Sequence, residues 1–101
     1  MLSYSVTAEF ALAETAVVHH EVIISGFEFV PDKLELSLGD TVTWVNKDIV
    51  PHNIAIEHAQ YALSPDLARG EKFTLVVQTS LAYLCALHPS MKGKITIVNS
   101  E

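Results

Sequence analysis

Short runs of alternating apolar and polar residues, separated by turn residues, are the feature that most constrains this chain. Residues 33–38 carry a leucine at every second position, and Gly39-Asp40 then marks a turn. Residues 41–46 resume the alternation, with Val42 and Trp44 on one face. A period of two is typical of half-buried strands, and several short strands between turn signals predict a β-sandwich or barrel.

Further segments that alternate or are rich in β-branched residues predict more strands. They cover residues 17–25, 27–29, 52–57, 71–78, 80–85 and 94–99. Residues 60–70 contain Pro65 and Gly70 and predict a long loop, and residues 91–93 are expected to turn the chain. Residues 9–16 predict a loose edge strand or arm. The adjacent His19 and His20 would point to opposite faces of a strand, so they are interpreted as surface residues.

Length and composition indicate one domain spanning residues 1–101. Half of the residues are hydrophobic and 18% are charged, which argues against disorder. The formal net charge is −6, with 12 acidic and 6 basic residues, and this argues against a nucleic-acid partner. No apolar run is long enough to span a bilayer, and residues 1–6 do not have the pattern of a signal peptide. We therefore expect a mature, monomeric domain that does not insert into a membrane.

The single cysteine begins a run of potential metal ligands, Cys85-Ala86-Leu87-His88-Pro89-Ser90-Met91. Cys85 is predicted to end a strand, with His88 and Met91 on the following loop. Pro51-His52-Asn53 offers a second imidazole at the end of another predicted strand. Two histidines, one cysteine and a weak axial methionine are the ligands of blue-copper electron-transfer sites. The sequence therefore predicts a metal site formed by His52, Cys85, His88 and Met91.

Other interpretations of these residues fit less well. Taken singly, Cys85 and Met91 would be core residues and the histidines surface residues. Structural zinc prefers several Cys and His ligands, and an iron–sulfur cluster or a c-type haem needs more cysteines than this chain has. A Cys–His nucleophile is conceivable, but no oxyanion hole is evident. Copper storage or delivery without electron transfer is the main functional alternative. A copper enzyme with an open coordination position is disfavoured by Met91.

The motifs together resemble those of the cupredoxins. They are Gly39-Asp40-Thr41-Val42-Thr43-Trp44, Pro51-His52-Asn53, and Tyr83-x-Cys85-x-x-His88-Pro89-x-Met91-x-Gly93-Lys94. Within that family the chain is most similar to the amicyanins, whose ligand spacings are equally short. The resemblance implies a Greek-key β-sandwich of about eight strands with copper at one end. It also implies a periplasmic electron carrier between an amine dehydrogenase and a c-type cytochrome, and not an enzyme.

Two residues of the ligand loop depart from the amicyanin pattern. Amicyanin-like loops read Cys-Thr-Pro-His, whereas this loop has Ala86 and Leu87 in the middle. Ala86 has no hydroxyl to bond the Asn53 side chain, so a link between the two ligand loops is expected to be lost. Leu87 has a backbone N–H that proline lacks, and if this N–H points at the Cys85 sulfur it would favour Cu(I).

The residues expected to surround the ligands are Pro51, Asn53, Ala86 and Leu87. The residues expected to form an apolar docking patch around the exposed ligand are Pro51, Leu87, His88, Pro89 and Met91. A small apolar patch suits brief encounters with redox partners.

Overall fold

Eight strands are present in the computed structural model of the protein, which describes residues 16–59 and 61–98. They are β1 (His19–Ser25), β2 (Glu28–Val30), β3 (Lys33–Leu36), β4 (Thr41–Asn46), β5 (Ala55–Ile56), β6 (Lys72–Val76), β7 (Leu81–Cys85) and β8 (His88–Ile97). The arm predicted at residues 9–16 lies outside the described residues, except for its last residue. In the described ranges we find no helix long and apolar enough to cross a membrane.

The strands form two four-stranded sheets, in the orders β2-β1-β4-β6 and β3-β8-β7-β5. Strands β1 and β4 are parallel, as are β3 and β8, and the other neighbouring pairs are antiparallel. The chain crosses between the sheets after β2, β3, β4, β5 and β6. This arrangement confirms the prediction of an all-β sandwich and excludes the barrel that the sequence pattern left open.

The core lies between the sheets and is built from the alternating positions. Val22 of β1, together with Val42 and Trp44 of β4, has no exposed surface. Tyr83 and Ile95 of the second sheet face them and are 1% and 0% exposed. The predicted inward alternation of Val42 and Trp44 is therefore confirmed. Burial of these large apolar side chains is the main force that holds the two sheets together.

The aromatic centre of the core is Tyr83, whose ring contacts Trp44 and Phe29 edge-on at centroid distances of 5.3 and 4.8 Å. Gly93 lies opposite Tyr83 in the β7–β8 pair. A Cβ atom at Gly93 would overlap the Tyr83 ring, so a residue without a side chain is required here. Burial raises the pKa of Tyr83 to about 12. The core tyrosine is therefore neutral over the physiological range.

Several predicted boundaries were wrong. Residues 91–93 do not turn the chain, because β8 runs without interruption from His88 to Ile97. Only residues 86–87 separate β7 from β8, and these two strands pair from Leu81↔Ile95 to Cys85↔His88. His88 and Met91 consequently lie on a strand and not on a loop. The hairpin between the strands has the two-residue length that is commonest for such connections.

The other differences concern the ends of predicted strands. Only Ala55–Ile56 of the predicted segment 52–57 forms a strand. Its first residues instead bond to the long loop, where the backbones of His52 and Leu67 bond each other in both directions. Leu38, expected to face inward, follows the end of β3 and is 63% exposed. The error at Leu38 arises because the alternation in the sequence continues past the last residue of β3.

Candidate metal centre

Three potential ligands meet at one end of the sandwich. One donor atom each of His52, Cys85 and His88 lies within 4.8 Å of the other two. The Cys85 Sγ atom is 3.6 Å from His52 Nδ1 and 3.9 Å from His88 Nδ1. His52 and Cys85 have no exposed surface, whereas His88 is partly exposed. The arrangement can bind one metal ion with a thiolate and two imidazoles, with one imidazole edge near solvent.

The β7–β8 hairpin brings two of these ligands together. Cys85 is the last residue of β7 and pairs with His88, the first residue of β8. The register shifts between Leu84 and Cys85. Such irregularities re-aim a side chain at the end of a sheet. Met91, three residues further along β8, is 3% exposed and belongs to the core cluster that contains Cys85.

A backbone N–H stabilises the Cys85 sulfur. The N–H of Asn53 donates to Cys85 Sγ at 3.4 Å, across the two ligand segments. In the described part of the chain, Leu87 makes no hydrogen bond to this sulfur. The hypothesis from the sequence required the N–H of Leu87 to point at the Cys85 sulfur. In the structure the N–H of Asn53 does so instead. A donor aimed at the sulfur withdraws negative charge from a thiolate and tunes the metal it binds.

The link between the two ligand segments is present, contrary to the prediction from Ala86. The backbone N–H of Ala86 donates to Asn53 Oδ1 at 2.8 Å. The amide of Asn53 also donates to Asp66 Oδ1 at 3.1 Å. A side-chain hydroxyl at residue 86 is not needed, because the main chain supplies the donor. Asn53 is 5% exposed and so connects the segment of His52 to the segment of Cys85 from a buried position.

Sequence reasoning missed Asp48. Its Oδ2 atom accepts a hydrogen bond from His52 Nε2 at 2.9 Å, and the backbone N–H groups of Gly26 and Phe27 donate to its two oxygens. Desolvation raises the pKa of Asp48, but these backbone donors and His52 outweigh it and lower the pKa below its usual value. The only signal in the sequence was an acidic residue four positions before His52.

Comparison with known proteins agrees with this geometry. A family model described as copper-binding proteins of the plastocyanin/azurin family matches residues 16–98. The chain belongs to that family. The amicyanin of Paracoccus denitrificans is 32% identical over 94 residues, which are 87% of this chain and 72% of the relative. As a member of the plastocyanin/azurin family, the protein binds copper, as predicted.

Solved structures give the same fold. The structure of the Cu(I) form of an amicyanin variant superposes with a TM-score of 0.73 and 29% identity, covering 85% of this chain and 88% of that one. A copper-containing nitrite reductase from Thermus scotoductus superposes with a TM-score of 0.71 and 27% identity, over 85% of this chain. The present chain covers 23% of that reductase chain.

The donor atoms suit the copper of the plastocyanin/azurin family. A thiolate and two imidazoles from His52, Cys85 and His88, with a buried thioether nearby in sequence, form a soft-to-borderline set. The side chain of Cys85 has no disulfide partner in the described chain, so its sulfur is available as a ligand. Residues and cofactor are therefore chemically consistent.

The surface around His88 agrees only in part with the predicted docking patch. Pro51, Leu87 and Pro89 are exposed, and Leu87 keeps 44% of its surface accessible. Met91 is 3% exposed and therefore cannot belong to the patch, because β8 directs it into the core. Phe27 was not predicted as a site residue.

Phe27 covers the two histidines of the site. Its ring packs edge-on against His52 and His88 at centroid distances of 5.1 and 4.9 Å, and 48% of its surface is exposed. The rings of the two histidines are themselves 5.0 Å apart. The exposed apolar surface next to His88 therefore includes an aromatic ring from the β1–β2 turn.

Proposed function

We propose that this protein is a carrier of single electrons, with one copper ion bound by His52, Cys85, His88 and Met91. The observation that carries the proposal is the convergence of one thiol and two imidazoles within 4.8 Å in a largely buried setting. Copper bound by such a set supplies one-electron chemistry by cycling between Cu(II) and Cu(I). The family membership and the likeness to amicyanin support the same conclusion.

The protein's own contribution is to hold the ligands still. Asn53 ties the two ligand segments together, and its N–H approaches the Cys85 sulfur. Cys85 and His88 are fixed by strand pairing at the start of the β7–β8 hairpin. A site whose ligands barely move needs little rearrangement when its charge changes by one, and this favours fast electron transfer.

His88 is the proposed exit for the electron, because it is the ligand with exposed surface. The patch on which a redox partner docks would be formed by exposed Leu87 and Pro89, which flank His88 in sequence, with Pro51, which precedes His52, and the Phe27 ring. The resemblance to amicyanins supports an amine dehydrogenase as donor, a c-type cytochrome as acceptor and a periplasmic location. We propose that the protein acts as a monomeric carrier and not as an enzyme.

The test separates electron transfer from copper storage. Cu(I)-loaded protein is mixed with an oxidised c-type cytochrome, and cytochrome reduction is followed at its α band. The copper content of the protein is then measured after gel filtration. We expect the cytochrome to be reduced while copper stays with the protein. Failure to reduce the cytochrome, combined with release of Cu(I) to a chelator, would favour storage or delivery.

A pair of charge-matched variants tests the docking patch. Leu87→Glu places a carboxylate beside His88, and we expect it to slow cytochrome reduction. Val76→Glu is the control, because Val76 is 50% exposed and lies on β6 of the other sheet. Equal rates for the two variants would contradict the proposed patch without affecting the proposed copper ligands.

A further inference from the structure

The Asp48 carboxylate joins a proposed copper ligand to the turn that carries Phe27. Its Oδ1 atom accepts from the Gly26 N–H at 2.8 Å. Its Oδ2 atom accepts from the Phe27 N–H at 3.0 Å and from His52 Nε2 at 2.9 Å. The carboxylate therefore bonds to two separate segments of the chain, and within residues 16–59 and 61–98 it makes no hydrogen bond to the β7–β8 hairpin that carries Cys85.

The position of Asp48 is itself fixed from a buried residue. The N–H of Asp48 donates to Asn46 Oδ1 at 2.9 Å. The amide nitrogen of Asn46 donates to the carbonyl oxygens of Val50 and Leu67 at 2.9 and 2.8 Å. Asn46 has no exposed surface, so the connection after β4 is anchored in the core. The backbone of Asp48 is thus held in place by a hydrogen bond to a buried side chain.

The contact with Asp48 determines which nitrogen of His52 carries the proton. An ionised carboxylate only accepts hydrogen bonds, so the 2.9 Å contact places a hydrogen on Nε2 of His52. The other ring nitrogen, Nδ1, faces Cys85 Sγ at 3.6 Å. Asp48 is 14% exposed and His52 fully buried, so little water competes for the Nε2 proton.

The turn held by Asp48 is conformationally demanding. Gly26 and Phe27 both have positive φ, at 62° and 61°, and they form the two-residue connection between β1 and β2. A bulky residue rarely adopts this region, which costs of the order of 1–3 kcal/mol unless the surroundings compensate. Two hydrogen bonds to one carboxylate provide that compensation, and they leave the Phe27 ring against His52 and His88.

We propose that Asp48 is the positioning residue that fixes the tautomer of His52 and, through the same carboxylate, places Phe27 over both histidine ligands. This inference deepens the proposed function and rests on His52 being a copper ligand. Without Asp48, His52 would exchange its proton between the two nitrogens, and the β1–β2 turn would lose the contact that keeps Phe27 in the left-handed region.

The main test uses the metal-free protein, so that it does not depend on copper binding. The ring of His52 is observed by ¹H–¹⁵N NMR in the parent and in Asp48→Ala. We expect a single Nε2–H tautomer with a slowly exchanging proton in the parent. In the variant we expect a mixture of tautomers and faster exchange of the Gly26 and Phe27 amide protons. Asp32→Ala is the charge-matched control, because the Asp32 side chain is 61% exposed and makes no hydrogen bond to Gly26, Phe27 or His52.

A second measurement connects the positioning to the metal. Loss of a partner that orients a histidine ligand typically costs about 10- to 100-fold in metal affinity. We expect that fall in copper affinity for Asp48→Ala, measured by competition with a chelator, and none for Asp32→Ala. If Asp48→Ala does not fold, Asp48→Asn serves in its place, since asparagine has one acceptor oxygen instead of two and must lose at least one of the hydrogen bonds to Gly26, Phe27 and His52.

These measurements distinguish failure of the proposed role of Asp48 from failure of the proposed copper-binding function. An unchanged His52 tautomer and unchanged amide exchange in the Asp48 variant would overturn the positioning role. Equal copper affinity in the Asp48 and Asp32 variants would also overturn it. If the parent binds no copper, the proposed function fails, and the NMR measurement still decides whether Asp48 orients His52 and the Phe27 turn.

Discussion

Replacing Asn53 with alanine tests how the two ligand segments are joined. Asn53→Ala removes the acceptor of the Ala86 N–H and the donor to Asp66. A typical hydrogen bond contributes about 0.5–1.5 kcal/mol net, so two of them correspond to about 1–3 kcal/mol of unfolding free energy. For a domain of this size each kcal/mol lowers the melting temperature by about 4–8 °C.

A second variant separates the two hydrogen bonds of Asn53. Asp66→Ala removes only the partner of the Asn53 amide nitrogen, and Asp66 is exposed. We expect this variant to lose stability at the lower end of the range, about 0.5 kcal/mol. The difference between the variants then reports the bond to Ala86, which connects the segments of His52 and Cys85 through the Asn53 side chain.

The assay is urea unfolding of the metal-free protein followed by the fluorescence of Trp44. Asn53→Ala should be less stable than Asp66→Ala by about 1 kcal/mol, since the Ala86 N–H is left without its partner. Copper affinity should follow the same order. Equal stabilities for the two variants would refute the reasoning, because the hydrogen bond to Ala86 would then contribute nothing.

Three further perturbations probe the rest of the fold. Gly93→Ala should destabilise the protein by about 1–3 kcal/mol in urea unfolding, because its methyl group would overlap the Tyr83 ring; an unchanged midpoint would contradict this packing. The pKa of Tyr83 is raised from 10.0 to about 12, so its neutral form stabilises the fold below pH 10, and that contribution falls by about 3 kcal/mol as the pH rises to 12. The unfolding free energy of Tyr83→Phe should therefore fall less steeply at alkaline pH than that of the parent, and an identical decrease would refute the assignment. Hydrogen bonds from His20 and two backbone N–H groups lower the pKa of Asp40, so the carboxylate stabilises the fold above the unfolded pKa of 3.8, and this contribution is lost as the pH falls below that value. The unfolding free energy of Asp40→Asn should therefore change less with acid than that of the parent, and equal acid dependence would argue against a stabilising carboxylate.

Much of the sandwich could be predicted from the sequence because its core strands alternate clearly. Val42 and Trp44 are buried as their period of two indicates. Strand ends were less predictable, since Leu38 continues the alternation beyond the last paired residue of β3. Side-chain patterns report burial, whereas strand limits depend on backbone partners that lie far away along the chain.

The proximity of Cys85 and His88 could be predicted because their spacing is local, but the residues that support the proposed site could not. Cys85 and His88 are three positions apart, and the structure brings both together with His52. The contact between Asp48 and His52 and the ring of Phe27 over the site depend on the β1–β2 turn, which is remote in sequence. The hydrogen bond from Ala86 to Asn53 could not be predicted either, because its donor is a backbone N–H, which almost every residue type has.

Electron transfer at a copper site containing Cys85 is tested directly by the visible absorption spectrum of the purified protein after addition of Cu(II) and then ascorbate. We expect an intense blue band from charge transfer between the Cys85 thiolate and Cu(II), which bleaches on reduction and returns on oxidation. Cys85→Ser should abolish this band. Absence of the band in the parent protein, or immediate oxidation of the thiol with Cu(I) retained, would contradict electron transfer at this site.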